Sequence, residues 1–237
     1  GGSITSAATG YTNIDNNSDD AVMMLLPANS DVIFEGVTFN NVLNFWVQKY
    51  TAPWAYLHSI TFRNCTFNGI IIGPCPAVEA YFENCVFNNY TNTTSSNDSC
   101  PIWWRADMEN KDMARSMNKV SFIGNKVYST RPVKFERIGY ACNVEDKEYT
   151  AELIFKNNYF DIQPVASDIA AGKAKNFGII FGQYNAESRL IITDENNEIS
   201  ASTAGLYAIT KDVQNGYFVD SDVTILDGNG NAKELTV

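Results

Sequence analysis

Apolar and polar residues alternate along this chain in a short pattern that returns several times. The clearest copies are Val32–Asn40, Ile60–Asn68 and Ala80–Asn88. Within each copy every second residue is apolar, which is the period of a β-strand buried on one face. The pattern therefore predicts a series of similar strands. Weaker copies are centred on Phe122, Phe155, Ile192 and Ile225.

The spacing of the copies predicts how these strands pair. Their centres, from Phe34 onwards, lie 28, 20, 40, 33, 37 and 33 residues apart, and all copies read in the same direction. Strands repeated in this way pair in parallel, and each intervening stretch is long enough for a crossover. Irregular spacing is natural for a repeat protein whose loops differ in length.

A second family of apolar strands lies between the copies, so each coil of the repeat contains at least two strands. The two families together predict an all-β fold: a right-handed, single-stranded parallel β-helix, or solenoid, of about seven coils. Residues 1–20 are interpreted as an N-terminal lead-in or cap and residues 21–237 as the β-helix domain. The second family comprises residues 44–48, 69–73, 102–105, 132–136, 177–181 and 206–210.

Five phenylalanines hold the same position in successive copies and predict the core. In a parallel stack they lie above one another in one inward column, where stacked rings bury a large apolar area. Two residues after each ring the strand has to turn, and Asn, Gly and Asp tolerate tight turns. The rings are Phe34, Phe62, Phe82, Phe122 and Phe155, and the turn position is assigned to Gly36, Asn64, Asn84, Gly124, Asn157, Asp194 and Asp227.

Two other repeat folds share part of this pattern. In a leucine-rich repeat two residues separate the last strand leucine from Asn, whereas here one residue separates Phe62 from Asn64. A β-propeller needs antiparallel blades at a regular spacing of about 40 residues. The 20 residues between Phe62 and Phe82 are too few for a blade. The parallel β-helix therefore accounts for the pattern better than either alternative.

The copies around Phe62 and Phe82 both read Phe-x-Asn-Cys-x-Phe-Asn. This motif resembles the coils of the pectin-lyase-like β-helix superfamily, particularly its members on bacterial cell surfaces, over about residues 21–230. The resemblance implies the fold but no single activity, because that superfamily includes lyases, hydrolases, esterases, adhesins and inert spikes. Together with the start Gly1-Gly2-Ser3, interpreted as the scar left where an export signal was removed, it implies an exported, extracellular or cell-surface protein.

Charge and hydropathy exclude several kinds of partner. The chain carries 27 acidic and 17 basic side chains, a formal net charge of −10. A polyanionic nucleic acid would be repelled over most of such a surface. No stretch approaches the roughly 20 apolar residues that span a bilayer, so membrane insertion is not expected. We expect a monomer or one part of a larger multidomain chain.

The five cysteines predict neither a disulfide framework nor a metal site. Cys65 and Cys85 hold identical positions in neighbouring copies, where parallel Cβ directions suit stacked thiols better than a disulfide. A Cys75–Cys100 contact is possible by position, and Cys142 has no evident partner. The sequence leaves the disulfide state of all five open and predicts no cofactor.

Catalytic patterns are sparse. The motifs of polygalacturonase-like hydrolases are missing apart from Asp19-Asp20, and the only histidine, His58, has no serine-nucleophile motif around it. Asp194 and Asp227 could form an esterase pair, but turn aspartates are more often conformational. A polysaccharide lyase could use Arg105, Lys134 and Glu136, with Arg131, Arg137 and Asp107 nearby, and only this alternative would involve Ca²⁺.

The strongest indication of binding is aromatic. Strand alternation places Trp46, Gln48, Trp103, Arg105, Lys134 and Tyr207 on one outer face, with Glu136 beside them. Flat aromatic side chains with polar neighbours bind sugar rings, although burial of these side chains under loops would explain the pattern equally well. The favoured hypothesis is a secreted or cell-surface protein that binds a polysaccharide or glycan without catalysis. The alternatives are a lyase acting on a uronate polymer and a structural stalk or adhesin segment.

Overall fold

The structure, a computed structural model, describes a little under three fifths of the chain and, for some of these residues, only the backbone. The described residues are 1–5, 22–25, 29–40, 43–46, 57–69, 71–73, 77–90, 100–105, 119–136, 149–166, 170, 176–182, 188–209 and 223–233. Side chains are outside the description at residues 22–25, 43–46, 71–73, 103–105, 136, 149–150, 181–182, 188–189, 208–209 and 223.

The strands form three sheets of seven strands each. Sheet A contains β1 (Gly2–Thr5), β4 (Val37–Asn40), β7 (Thr66–Asn68), β10 (Val86–Asn89), β13 (Lys126–Ser129), β16 (Tyr159–Ile162) and β19 (Glu198–Ile199). Sheet B contains β2 (Val22–Leu25), β5 (Leu43–Trp46), β8 (Ile71–Gly73), β11 (Ile102–Arg105), β14 (Val133–Glu136), β17 (Phe177–Gly182) and β20 (Gly205–Ile209). Sheet C contains β3 (Asp31–Glu35), β6 (Leu57–Arg63), β9 (Ala77–Glu83), β12 (Lys119–Ile123), β15 (Tyr149–Lys156), β18 (Ser188–Glu195) and β21 (Val223–Leu226).

Every third strand along the chain belongs to the same sheet, and neighbours within each sheet pair in parallel. We call one strand from each sheet, in chain order, a repeat. This all-β arrangement is consistent with a parallel β-helix and excludes the antiparallel blades of a propeller. The strands predicted between the copies are those of sheet B. Gly2–Thr5, within the segment interpreted as a lead-in, is the edge strand of sheet A and pairs with β4.

The predicted phenylalanine column is confirmed. Phe34, Phe62, Phe82, Phe122 and Phe155 are partners in the register of sheet C. Successive ring centroids lie 5.3, 5.2, 5.6 and 6.2 Å apart, and the last four rings are at most 1% exposed. Stacking buries each ring against the ring before and after it, which stabilises the fold by roughly 1.5–3 kcal/mol per side chain.

A second column on sheet A contacts the first. Phe39, Phe67 and Phe87 stack with centroids 4.9 and 4.7 Å apart. Phe67 also meets Phe62 of sheet C edge to face at 5.3 Å. On sheet B the ring of Phe135 lies 6.0 Å from Phe155. The three sheets therefore share one hydrophobic core.

The connection from sheet C to sheet A is a tight turn of one or two residues in the first six repeats. It begins with a residue of positive φ, from 53° to 69°, as expected for Asn and Gly. At Gly124 a Cβ would also lie 2.3 Å from Oδ1 of Asn84. These residues are Gly36, Asn64, Asn84, Gly124, Asn157 and Asn196.

The assignment of Asp194 and Asp227 to this turn was wrong. The register pairs Phe155 with Asp194, so Asp194 continues the phenylalanine column and Asn196 makes the turn. The sixth and seventh copies were therefore aligned two residues too early. Asp194 is buried, accepts a hydrogen bond from Nδ2 of Asn197 (2.6 Å) and pairs with Nζ of Lys233 (2.5 Å). This ion pair ties residues 227–233, which return antiparallel through a Leu226–Ala232 bridge, to the last repeats.

The amides that join neighbouring repeats belong to the residue after the turn position, not to the turn asparagines themselves. Nδ2 of Asn158 donates to the carbonyl oxygen of Phe122 (2.7 Å), and its Oδ1 accepts the backbone N–H of Asn125 (2.8 Å). Asn125 and Asn197 repeat both kinds of bond one repeat away. Because buried backbone groups need partners, this ladder fixes the height of each repeat on the next.

Cysteines take the place of asparagine in the second and third repeats. Cys65 and Cys85 are buried free thiols, in agreement with the expected stacking. Each Sγ donates to the carbonyl oxygen of the ring residue in the preceding repeat, at 3.3 Å in both cases. The hydrogen bond with Cys65, together with burial, raises the pKa of Cys85. Cys100 is buried, and Cys75 and Cys142 lie outside the described residues.

Removing one ring of the column should be costly. We expect Phe82→Ala to lower the free energy of unfolding by about 3–5 kcal/mol, because it leaves a cavity between two stacked rings. Urea unfolding measures this loss. Ile33→Ala is the matched control, since Ile33 is 59% exposed and its truncation should cost less than about 1 kcal/mol. Equal losses for the two variants would contradict the inward column.

Position 158 should be far more sensitive than position 157. Asn158→Ala leaves the Phe122 carbonyl and the Asn125 N–H unpaired in a buried site, which should cost about 3 kcal/mol in urea unfolding. Asn157→Gly keeps the positive φ and should change stability by less than about 0.5 kcal/mol. Asn158→Cys, which copies the earlier repeats, should fall between them. If Asn157→Gly were the more damaging variant, the amide ladder would not be the link between repeats.

Candidate functional site

Length variation in this chain is concentrated beside sheet B. The connections from sheet C to sheet A stay at one or two residues, whereas the connections entering and leaving sheet B vary widely. Insertions in a repeat protein gather on one face, which is often the binding face. Sheet B is therefore the candidate binding face. The long connections are residues 6–21, 47–56, 90–101, 106–118, 137–148, 163–176 and 210–222.

Sheet B brings several of the predicted site residues into register. Trp103 on β11 pairs with Lys134 on β14, and Arg105 pairs with Glu136 on the same two strands. Trp46 is the last residue of β5 and pairs with Leu25. The backbone thus places two of the predicted pairs side by side in adjacent repeats. The side chains of Trp46, Trp103, Arg105 and Glu136, and the whole of Gln48, lie outside the described residues.

Lys134 does not project freely from this face as the alternation predicted. It is 7% exposed, and Arg131, three residues earlier, is 1% exposed. Alternation along a strand determines which face a side chain is on, but not what packs above it. Lys134 therefore holds an outer position on β14 and is nevertheless buried, as is Arg131 just before the strand, although such side chains are almost never fully buried unless paired.

Tyr207 faces the interior, which corrects its assignment to the outer face. It pairs in register with Ile179, which is fully buried, and its ring lies 5.7 Å from Phe155. Tyr207 is 8% exposed. Burial, followed by the neighbouring Asp194 carboxylate, raises its pKa, so the hydroxyl stays protonated. Tyr207 therefore belongs to the core and cannot stack on a ligand.

The described side chains do not bring the predicted catalytic residues together in one cluster. Of Arg105, Lys134 and Glu136, only the side chain of Lys134 is described, and Asp107 and Arg137 lie outside the described residues. Asp194 and Asp227, the predicted esterase pair, each have another partner. Asp194 is paired with Lys233. Asp227 accepts hydrogen bonds from the backbone N–H groups of Asn229 and Asn231 in its own turn. Within the described ranges no three His, Cys, Asp or Glu side chains are placed to hold a metal ion.

His58 contacts a carboxylate on the neighbouring strand. Nδ1 of His58 and Oγ of Ser59 both lie next to Oδ1 of Asp31, at 2.7 and 2.6 Å. Both contacts therefore end on the aspartate, unlike a catalytic triad, in which histidine links serine to aspartate. The hydrogen bond and charge of Asp31 raise the pKa of His58, while the bonds from Ser59 and His58 lower that of Asp31.

The outer face of sheet A carries an aromatic group that the sequence analysis missed. Tyr90, Tyr128 and Tyr159 come from three successive repeats, and the ring of Tyr128 lies 6.0 Å from each of the other two. Tyr90 is 40% exposed and the other two are half-buried. We call these three residues the tyrosine strip. Strand alternation indicates the strip, because Val127 and Phe160 point inward and their neighbours Tyr128 and Tyr159 therefore point outward.

A hydrogen-bond network supports one end of the strip. Oδ2 of Asp161 accepts the hydroxyl of Tyr90 (2.5 Å) and Nε2 of Gln163 (3.1 Å). Its Oδ1 accepts the hydroxyls of Ser200 (2.6 Å) and Ser202 (2.9 Å). Burial opposes ionisation of Asp161, but these hydrogen bonds outweigh it and lower the pKa. Asp161 is thus a fixed carboxylate that holds the Tyr90 ring in place.

A column of amides continues the same face toward the first repeat. Nδ2 of Asn88 donates to Oδ1 of Asn68 (3.0 Å), Nδ2 of Asn68 to Oδ1 of Asn40 (2.9 Å), and Nδ2 of Asn40 to Oγ1 of Thr5 (3.0 Å). Asn88 is the register partner of Tyr128. The outer face of sheet A is therefore polar and ordered along most of its length.

Comparisons with protein-family models, with curated proteins and with solved structures gave no match. No helix in the described part of the chain is long and apolar enough to cross a membrane.

The His58–Asp31 pair makes a prediction about pH. Asp31→Asn should lower the pKa of His58 toward the ordinary histidine value, which NMR titration of this single histidine measures directly. In the unmodified protein the raised pKa stabilises the fold fully below the ordinary pKa, and the contribution is lost as the pH rises through the raised value. Glu79→Gln is the control, because Glu79 acts on His58 only through a weaker, more distant charge. An unchanged titration in Asp31→Asn would contradict the contact.

Proposed function

We propose that this chain is a secreted or cell-surface parallel β-helix that binds a polysaccharide or glycan on the outer face of sheet B. In this proposal the three sheets wind as a right-handed, single-stranded solenoid of about seven coils, the hand taken by nearly all parallel crossovers. The repeated Phe-x-Asn-Cys-x-Phe-Asn motif supports a place in the pectin-lyase-like superfamily. Catalysis is not part of the proposal.

The observation that carries this function is the position of the insertions. All long connections enter or leave sheet B, so its outer face lies between two sets of variable segments. In repeat proteins the face that collects insertions is often the binding face. The strands of sheet B also carry Trp46, Trp103 and Arg105, and aromatic and guanidinium groups suit sugar rings and their hydroxyls.

Two of the predicted contacts, Tyr207 and Lys134, leave the proposed site. Tyr207 is in the core, so it is not a ligand contact. Lys134 is too buried to contact a polymer directly. Trp46, Gln48, Trp103 and Arg105 remain the proposed contacts.

Tryptophan truncation tests the proposal. Trp46→Ala and Trp103→Ala should each weaken binding to the recognised glycan by about tenfold or more, because stacking on a ring is lost. Binding is measured by affinity electrophoresis on a panel of neutral and uronate polysaccharides, followed by calorimetry on those that bind. Tyr207→Phe is the aromatic control and should leave the affinity unchanged.

Three outcomes would count against the proposal. Failure to bind any glycan would favour the structural stalk. Unsaturated products released from a uronate polymer, detected by their ultraviolet absorbance, would replace it with the lyase. Full binding by both tryptophan variants, with unchanged thermal unfolding, would remove sheet B as the binding face.

A further inference from the structure

We propose that the tyrosine strip on the outer face of sheet A is a second saccharide-binding surface, separate from sheet B and suited to an uncharged glycan. The inference shares its ligand class with the proposed function but rests on different residues. It also rests on described side chains throughout. Three properties of the strip support it: ring geometry, rigidity and charge.

The rings form a stepped, angled platform in which neighbouring ring planes are inclined by 61° and 57°. Tyr90, Tyr128 and Tyr159 lie in three adjacent outer columns and in three successive repeats, so the strip crosses the sheet diagonally. Neighbouring strands are about 4.8 Å apart, and the ring centroids of the strip are 6.0 Å apart. Spacings of this size match consecutive pyranose units of an extended glycan, whose apolar faces stack on aromatic rings.

The platform is held in shape without a ligand. Tyr90 is tied to Asp161, and Asp161 is tied in turn to Ser200, Ser202 and Gln163. A surface side chain held in this way has already lost rotamer freedom. Ligand binding therefore does not carry that entropic cost again. A preformed binding surface requires exposed aromatic rings that hydrogen bonds from neighbouring side chains hold in place.

Hydrogen-bonding groups remain for sugar hydroxyls. Within the described residues the hydroxyls of Tyr128 and Tyr159 form no hydrogen bond, so both can donate to or accept from a ligand. Asn88, the exposed register partner of Tyr128, adds an amide oxygen at the edge of the strip. Aromatic faces bordered by hydroxyl and amide groups are suited to the ring faces and hydroxyls of a carbohydrate.

Charge selects the kind of glycan. Among the described residues, the ionised groups beside the strip are Asp161, Glu198 and Lys126, two carboxylates and one ammonium, and Glu198 and Lys126 are both register partners of Tyr159. The whole chain carries a net charge of −10. A uronate polymer would meet net repulsion here, whereas a neutral polymer meets none. The strip therefore favours a neutral glycan.

The test compares strip variants with sheet B variants on neutral and charged polymers. The probes are soluble mixed-linkage β-glucan, xylan, galactomannan and polygalacturonate, with the full 237-residue chain used throughout. Tyr128→Ala should weaken binding of a neutral probe by about tenfold or more and leave polygalacturonate unaffected. Tyr90→Phe, which keeps the ring but loses the bond to Asp161, should have a smaller effect than Tyr90→Ala. Tyr81→Ala, on the outer face of sheet C, is the control and should bind as the unmodified protein does.

The outcomes separate this inference from the proposed function. Loss in Tyr128→Ala but not in Trp103→Ala supports the tyrosine strip. Loss in Trp103→Ala with full neutral binding by Tyr128→Ala and Tyr90→Ala overturns the strip and leaves sheet B standing. Binding of polygalacturonate alone also overturns it, and binding of no probe overturns both. Thermal unfolding of each variant distinguishes a loss of affinity from a loss of folding.

Discussion

The tight turn between sheets C and A is the constraint on which the rest of the structure depends. Its first residue takes a left-handed conformation, and in five of the six turns a second residue points an amide or thiol at the repeat before. Because the turn keeps nearly the same length, the inward residue on sheet A follows five residues after the one on sheet C, as Phe67 follows Phe62. One inserted residue would turn the strand's apolar side outward and separate the two columns.

The sequence revealed this architecture because its core position is repeated with the same letter. Five phenylalanines in register are easy to see, and the prediction of parallel winding follows from their order. The same method failed at Asp194, where the strand also has apolar residues at Leu190 and Ile192 and the pattern matched two residues early. The Asn196-Asn197 turn was the more reliable signal, because a left-handed turn restricts residue type more strongly than a strand interior does.

Candidate site residues were harder to predict than core residues for a physical reason. Alternation separates two faces, but the exposure of a side chain depends on what lies above it, which strand periodicity does not encode. Lys134 has the outward position that alternation gave it and is nevertheless buried. Tyr207 was placed on the wrong face because Leu206 and Ala208 fit the interior as easily as Tyr207 does. The tyrosine strip was not predicted, although the same alternation places Tyr128 and Tyr159 outward.

The two outer faces differ in a way that bears on how each could recognise a ligand. Sheet B is bordered on both sides by connections whose length changes from repeat to repeat, so in the proposed function these segments would take part in selecting the ligand. Sheet A is bordered on one side by the invariant turn, and its outer side chains bond mainly to the same face in the next repeat, as the Asn88–Asn68–Asn40 column does. A surface of that kind cannot reshape itself around a ligand. It can only present a periodic array, which suits a polymer with a periodicity of its own, and among soluble polymers an uncharged glycan combines that periodicity with the stacking and hydroxyl chemistry that the strip offers.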